Sequence, residues 1–189
     1  MAHRMDTIVR QGGAAPPSGD THEARIRVNS TSGNISYDDN GNSNEVMRTG
    51  SYPVGAALSV TRVAHAGKTG LLDTAAGSVV TLPASTGSGD VYKFLVTVTA
   101  TSNSHVIKVA NATDEFRGFV FQDASEATAP NTWWAADNDD TITLNRSTTG
   151  LAAQGEYFEI VDAVAGHFYV RGFSQASGSE ATPFSAGVS

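Results

Sequence analysis

The stretch Val91-Tyr-Lys-Phe-Leu-Val-Thr-Val-Thr99 decides how the chain reads. Side chains alternate between the two faces of an extended strand. Tyr92, Phe94, Val96 and Val98 therefore fall on one face, and Lys93, Thr97 and Thr99 on the other. Leu95 interrupts the polar face, so that face is expected to be partly covered as well. Further short β-prone runs flank it: Leu58–Val63, Val79–Leu82, His105–Val109, Phe116–Phe121, Thr141–Leu144, Tyr157–Asp162 and His167–Phe173. They recur about every ten residues with Gly, Asn, Asp and Pro between them, and no window carries a sustained helical period. The expectation is an all-β body over residues 51–189, a β-sandwich or β-barrel of jelly-roll-like kind.

Composition narrows the function classes. The chain has 189 residues with twelve basic and nineteen acidic side chains, a formal charge of −7 and no cysteine. That length can bury a real core without a metal or disulfide staple. Thiol nucleophiles, thiolate zinc sites and disulfides are excluded. The few cations do not cluster, so no partner of nucleic-acid type is expected. Charged residues are only 16 % of the chain, against roughly 25 % in an average globular domain. Gly, Ser and Thr take their place. No apolar run approaches the ~20 residues of a membrane span, and Met1–Arg10 lacks the apolar segment of an export signal. No membrane partner is expected.

The N-terminal region differs from the body. Gln11–Asp20 combines Gly, Pro and small residues without apolar periodicity, and Pro16-Pro17 favours an extended stretch. Residues 1–24 are thus expected to form an extended arm carrying the mildly apolar and basic Met5, Ile8, Val9 and Arg10. Two readings stay open: a solvated tail, or an arm that orders on a neighbouring subunit. Over residues 25–50, two β-prone pieces bear Ile26, Val28 and Tyr37, and the second ends at Asn40-Gly41, a favoured tight turn. A small β-hairpin or meander follows, which must pack on something else to be stable.

Four chemical motifs fail on inspection. Arg62–Thr69 has Arg62 where a phosphate-binding loop needs its first glycine, and Gly70-Leu-Leu-Asp73 reads as strand and turn. Gly172-Phe-Ser174-Gln-Ala176 ends in alanine, and no histidine follows Ser174. Asp137-Asn-Asp139-Asp140 is oxygen-rich, but Ile142 and Thr148 occupy the positions where a calcium loop needs Gly and Glu. Asp38-Asp39 is explained by the turn it precedes. His3, His22, His65, His105 and His167 lack the spacing of a zinc motif, and His105 and His167 read as half-buried strand residues. No catalytic residue, metal or cofactor is expected. Trp133-Trp134 is the most suggestive aromatic feature. Neighbours on a strand point to opposite faces, so at least one ring is expected to leave the core for sugar stacking or subunit contact.

Several blocks carry a resemblance. They are Arg25-Ile-Arg-Val-Asn-Ser-Thr-Ser-Gly-Asn-Ile-Ser-Tyr-Asp-Asp-Asn-Gly41, Ala66-Gly-Lys-Thr-Gly-Leu-Leu-Asp73, Gly77-Ser-Val-Val-Thr-Leu-Pro-Ala-Ser-Thr-Gly-Ser-Gly89, Val91-Tyr-Lys-Phe-Leu-Val96, Ser104-His-Val-Ile-Lys-Val-Ala110 and Gly178-Ser-Glu-Ala-Thr-Pro-Phe-Ser-Ala186. Together, over most of residues 25–186, they resemble a family of small structural proteins of tailed-bacteriophage virions, associated with head decoration (cement) roles. Thr81–Gly89 is the most specific part. The resemblance implies a virion protein made in the host cytoplasm and placed on the outer capsid surface. Its implied partner is the major capsid protein, with a homotrimer as the assembled form. Met5, Ile8, Val9, Arg10, Pro16, Pro17, Ile26, Val28, Tyr37, Trp133 and Trp134 are the candidate capsid or subunit contacts.

Two rivals remain at this stage. A tail or head fibre that binds host carbohydrate would use Trp133-Trp134. A glycan hydrolase would need two facing carboxylates about 5–9.5 Å apart, for which Glu156, Glu159, Asp162 and Asp123 are available. Carboxylates on strands are more often solvated face residues, and no enzyme is expected.

Overall fold

The computed structural model describes residues 24–28, 35–39, 42–45, 50–124, 129–150 and 154–188. The chain divides into two units, Met1–Thr49 and Gly50–Ser189. In the first, β1 (Ala24–Val28), β2 (Ile35–Asp39) and β3 (Asn42–Glu45) form a three-stranded antiparallel meander in sequence order. Ile26 stands opposite Tyr37 and Val28 opposite Ile35. Asp39 pairs with Asn42, so Asn40 and Gly41 connect the strands. Those two residues, and Met5, Ile8, Val9, Arg10, Pro16 and Pro17, lie outside the described residues.

The second unit holds β4 (Ser51–Pro53), β5 (Ala57–Ser59), a single helical turn α1 (Arg62–His65), β6 (Thr69–Leu72), β7 (Val79–Thr81), β8 (Val91–Val96), β9 (His105–Lys108), β10 (Glu115–Ala124), β11 (Asn131–Trp134), β12 (Thr141–Leu144), β13 (Tyr157–Val164), β14 (His167–Ala176) and β15 (Phe184–Ser185). They make a seven-stranded sheet in the order β11-β10-β14-β13-β8-β6-β4 and a five-stranded sheet in the order β15-β12-β9-β7-β5. The two sheets pack against each other as a sandwich and do not close into a barrel.

From β4 to β9 the chain alternates strictly between the sheets. Ser51 lies beside Thr69 and Thr69 beside Lys93, while Ala57 lies beside Val79 and Val79 beside Val106, all in parallel register. The first half of the unit is therefore wound as a coil. The second half fills in around it: β13 pairs antiparallel with β8, β12 antiparallel with β9, and β10 runs parallel to β14. The parallel pairs set this order apart from an all-antiparallel jelly roll.

Alternation explains the core. Leu58, Val80, Ile107, Ile142 and Phe184 form one inward row across the five-stranded sheet. The facing sheet offers Tyr52, Gly70, Phe94, Phe158, Gly172, Val120 and Trp133 in register. Phe94, Phe158, Val80, Ile107 and Ile142 are completely buried. Glycines stand beside rings in this row because the rings need the space. A Cβ on Gly70 would stand 3.0 Å from the Phe94 ring, and one on Gly172 would stand 2.5 Å from Phe158.

The strand quoted first behaves as its pattern predicts through Val96, with Tyr92, Phe94 and Val96 buried. It ends there, so Val98 is a loop residue. The amides of Thr97 and Val98 both bond the carbonyl of Leu72. The run Leu58–Val63 is also shorter than expected. Thr61 caps the turn α1, its Oγ1 accepting from the Ala64 amide at 3.4 Å.

Candidate interaction surface

The two outer faces of the sandwich differ in chemistry. Across the five-stranded sheet the outward rows are Ser59, Thr81, Lys108, Thr141, Ser185 and Ala57, Val79, Val106, Thr143. Five of these nine residues carry hydroxyls, although Thr141 is itself buried. The seven-stranded sheet presents aromatic rings. Odd-numbered residues of β10, β13 and β14 point outward, and the register aligns them. Thr132, Phe121, Phe173, Tyr157 and Leu95 form one row, and Trp134, Phe119, Arg171, Glu159 and Lys93 the next. Arg117, Tyr169, Val161 and Val91 form a third.

These rings touch one another but no core. Phe119 meets Trp134 at 5.1 Å between ring centroids, and Phe121 stacks on Phe173 at 6.0 Å. Trp134 is 68 % exposed, Tyr169 and Phe173 are 44 % exposed, and Phe121 is 40 % exposed. Single exposed apolar residues are ordinary; aromatics contiguous across three strands are the mark of a contact surface.

Both arginines on this face are matched to carboxylates. Glu159 accepts from Arg171, through both Nε at 2.8 Å and Nη2, and from the Tyr157 hydroxyl at 3.3 Å. The Arg171 hydrogen bond holds the Glu159 carboxyl below the ordinary carboxylate range. Arg117 is gripped by Glu115 and Asp137, each at 2.5 Å.

The tryptophan pair divides as strand geometry requires. Trp134 joins the outer face. Trp133 turns inward, half-buried, and its Nε1 donates to Oε1 of the buried Gln122 at 2.7 Å, while Gln122 Nε2 donates to the carbonyl of Thr148 at 2.9 Å. Of the other candidate contacts, Ile26, Val28 and Tyr37 lie on β1 and β2 of the first unit.

The most specific stretch of the family resemblance has a structural duty. After β7, Ser85 to Ser88 wrap the buried carboxylate of Asp162. The carboxylate accepts from the Ser85 hydroxyl at 2.8 Å, the Thr86 amide at 3.1 Å, the Gly87 amide at 2.8 Å and the Ser88 hydroxyl at 2.9 Å. Gly87 has φ of +70° and its Cβ would press on the backbone at Ala165, so the turn requires glycine. Burial alone would raise the Asp162 pKa. The amides of Thr86 and Gly87 and the hydroxyls of Ser85 and Ser88 outweigh it and hold the pKa at about 2. Asp114 anchors the same loop from the other side, accepting from the Ser85 amide at 2.8 Å.

The remaining candidates have local partners. In the acidic turn, Asp137 serves Arg117, Asp139 accepts from the Ala136 amide, and Asp140 accepts from Thr141 and from the amides of Gly187 and Val188. Its carboxylates diverge. Among the described residues no three His, Asp or Glu side chains are grouped as a metal site needs. Glu156 is buried and accepts from the Gln175 amide. Ser174 lies within β14, buried in the core. His65 bonds the Thr61 amide, and His167 is half-buried opposite Glu115. His105 is buried outright, and burial pushes its pKa down. Among the described residues no helix is long and apolar enough to cross a membrane.

The sequence reading gave Phe119, Phe121, Tyr169 and Phe173 no role. The available signal was the presence of phenylalanine at both even and odd positions of Phe116–Phe121, which places rings on both faces of one strand. A scan against protein-family models and a search of the curated proteins each found no match.

Proposed function

We propose that this chain is a structural subunit of a bacteriophage virion, a decoration (cement) protein that binds the outer surface of the head and stabilises it. The observation that supports this reading most is the aromatic outer face of the seven-stranded sheet: rings in contact with one another, most of them exposed, and interleaved with ion pairs. Such a face is built to be covered by protein. The hydroxyl-rich outer face of the other sheet suits a second, more polar contact. The resemblance over residues 25–186 supplies the virion context, with the major capsid protein as partner. Many copies on a symmetric shell multiply a modest individual affinity.

Quantitative mass spectrometry of particles released by cells that encode the chain tests this. A copy number near that of the major capsid protein is the expected result. A few copies per particle would favour the fibre reading, which Trp134 at 68 % exposure otherwise motivates. Absence from particles would sink both.

A further inference from the structure

We infer that the outer face of the seven-stranded sheet is where copies of this chain meet one another. This rests on the reading of the protein as an assembly subunit, and it names the occupant of the aromatic face as a second copy.

Charge balance is the first argument. The whole chain carries twelve basic and nineteen acidic residues, so two copies repel over most of their surface. The rows crossing this face break that pattern. They hold Lys93, Arg117 and Arg171 against Glu115, Asp123 and Glu159, with Asp137 paired to Arg117 beside them, so this face is close to neutral. Here an acidic chain can approach its own kind without the general repulsion.

The state of the polar groups is the second argument, and it separates protein from sugar. A sugar platform needs donors and acceptors beside the rings that are still open to the ligand's hydroxyls. On this face Glu159 is bonded to Arg171 and Tyr157, and Arg117 to Glu115 and Asp137. These paired charges can be stripped of water by another apolar surface without stranding an ion.

Size is the third. Seven strands of three to ten residues, at about 4.8 Å spacing and averaging about 20 Å in length, present a projected area of about 600 Å². Side-chain relief raises the accessible area above its projection, towards the ~800 Å² per partner of a stable interface. Two such faces can stack about 10 Å apart, as sheets do within a sandwich.

Sedimentation velocity on the full chain, over about 1 to 100 µM, tests the inference. The expected result is a mass of more than one chain. Phe121→Lys combined with Phe173→Lys should weaken association by at least about 100-fold, with the far-UV circular dichroism unchanged. Thr143→Lys on the opposite sheet should leave association intact. If the double variant does not fold, Trp134→Arg, at the most exposed ring, serves in its place. A wild-type chain that stays single at the highest concentration overturns the inference, as does a folded lysine or Trp134→Arg variant that associates normally. So does a monomer whose tryptophan fluorescence responds to oligosaccharides, since the occupant would then be a sugar. Failure here and failure of the virion reading are distinguishable. A self-associating chain absent from particles refutes the virion reading alone, and a single chain abundant in particles refutes only the present inference.

Discussion

Replacing Asp162 by asparagine removes a charge while keeping the shape of the side chain. In the wild type the carboxylate receives hydrogen bonds from Ser85, Thr86, Gly87 and Ser88. Asparagine keeps one acceptor oxygen and turns the other into an amide donor. The amides of Thr86 and Gly87 both reach Oδ1 and keep their acceptor if that atom stays an oxygen, and the Ser88 hydroxyl can rotate to accept from an NH2 at the Oδ2 position, but the Ser88 N–H, 3.4 Å from Oδ2, cannot. At least one buried donor loses its partner, and the expected loss of stability at pH 7 is about 2–4 kcal/mol. The pH dependence gives a second handle. A carboxyl moved from an ordinary 3.8 to about 2 on folding contributes about 2.5 kcal/mol that is fully present above pH 4. That contribution disappears as pH falls through 2, because the folded state holds its proton less tightly than the unfolded chain. Urea unfolding followed by tryptophan fluorescence at pH 7, 4 and 2.5 measures both effects. Wild-type stability should fall more steeply than the variant's between pH 4 and 2.5. Equal slopes, or a cost at pH 7 below about 0.5 kcal/mol, would refute the account of this loop.

Three further outcomes follow from packing. Phe94→Ala, at a completely buried ring, should cost about 3–5 kcal/mol in urea unfolding. Gly118 has φ of +109° and a Cβ there would stand 2.0 Å from the Val170 carbonyl oxygen. Gly118→Val should therefore separate β10 from β14 and lower the thermal midpoint sharply or abolish soluble expression. Gln122→Ala strands both the Trp133 indole N–H and the Thr148 carbonyl, for an expected loss of about 2–3 kcal/mol. Trp133→Phe removes only the donor. A double-mutant cycle between positions 122 and 133 should show coupling of at least about 0.5 kcal/mol.

The sequence reading reached the layers and missed the winding, and particular residues show why. Alternation in Val91–Val96 and Tyr157–Asp162 exposes each strand's inner face, because that period is local. Whether Thr69 lies beside Lys93 or somewhere else depends on residues far apart in the chain. Strands of three or four residues such as β4, β6 and β11 are too short to show a period at all. The Ser85–Ser88 loop read as turn chemistry because its partner, Asp162, lies more than seventy positions further on. One clue was present. Phe158, Ile160 and Asp162 occupy successive inward positions, and an acid in such a series requires a ring of donors from elsewhere. The aromatic outer face escaped because no single strand carries it; it exists only once β10, β11 and β14 lie side by side.

The pairing order also constrains how the chain folds as it leaves the ribosome. The coil from β4 to β9 can wind while synthesis proceeds, since each new strand finds its neighbour already made. β10 cannot settle in this way. Apart from the edge strand β11, its only neighbour is β14, which must insert between β10 and β13. Until ribosomes have passed Ala176, the strand bearing Phe116, Phe119 and Phe121 waits with rings on both faces and an unpaired edge. Pairings of this range form late and leave nascent chains prone to stick to one another. Slow translation between β11 and β14 is thus where this protein runs its greatest risk of aggregation.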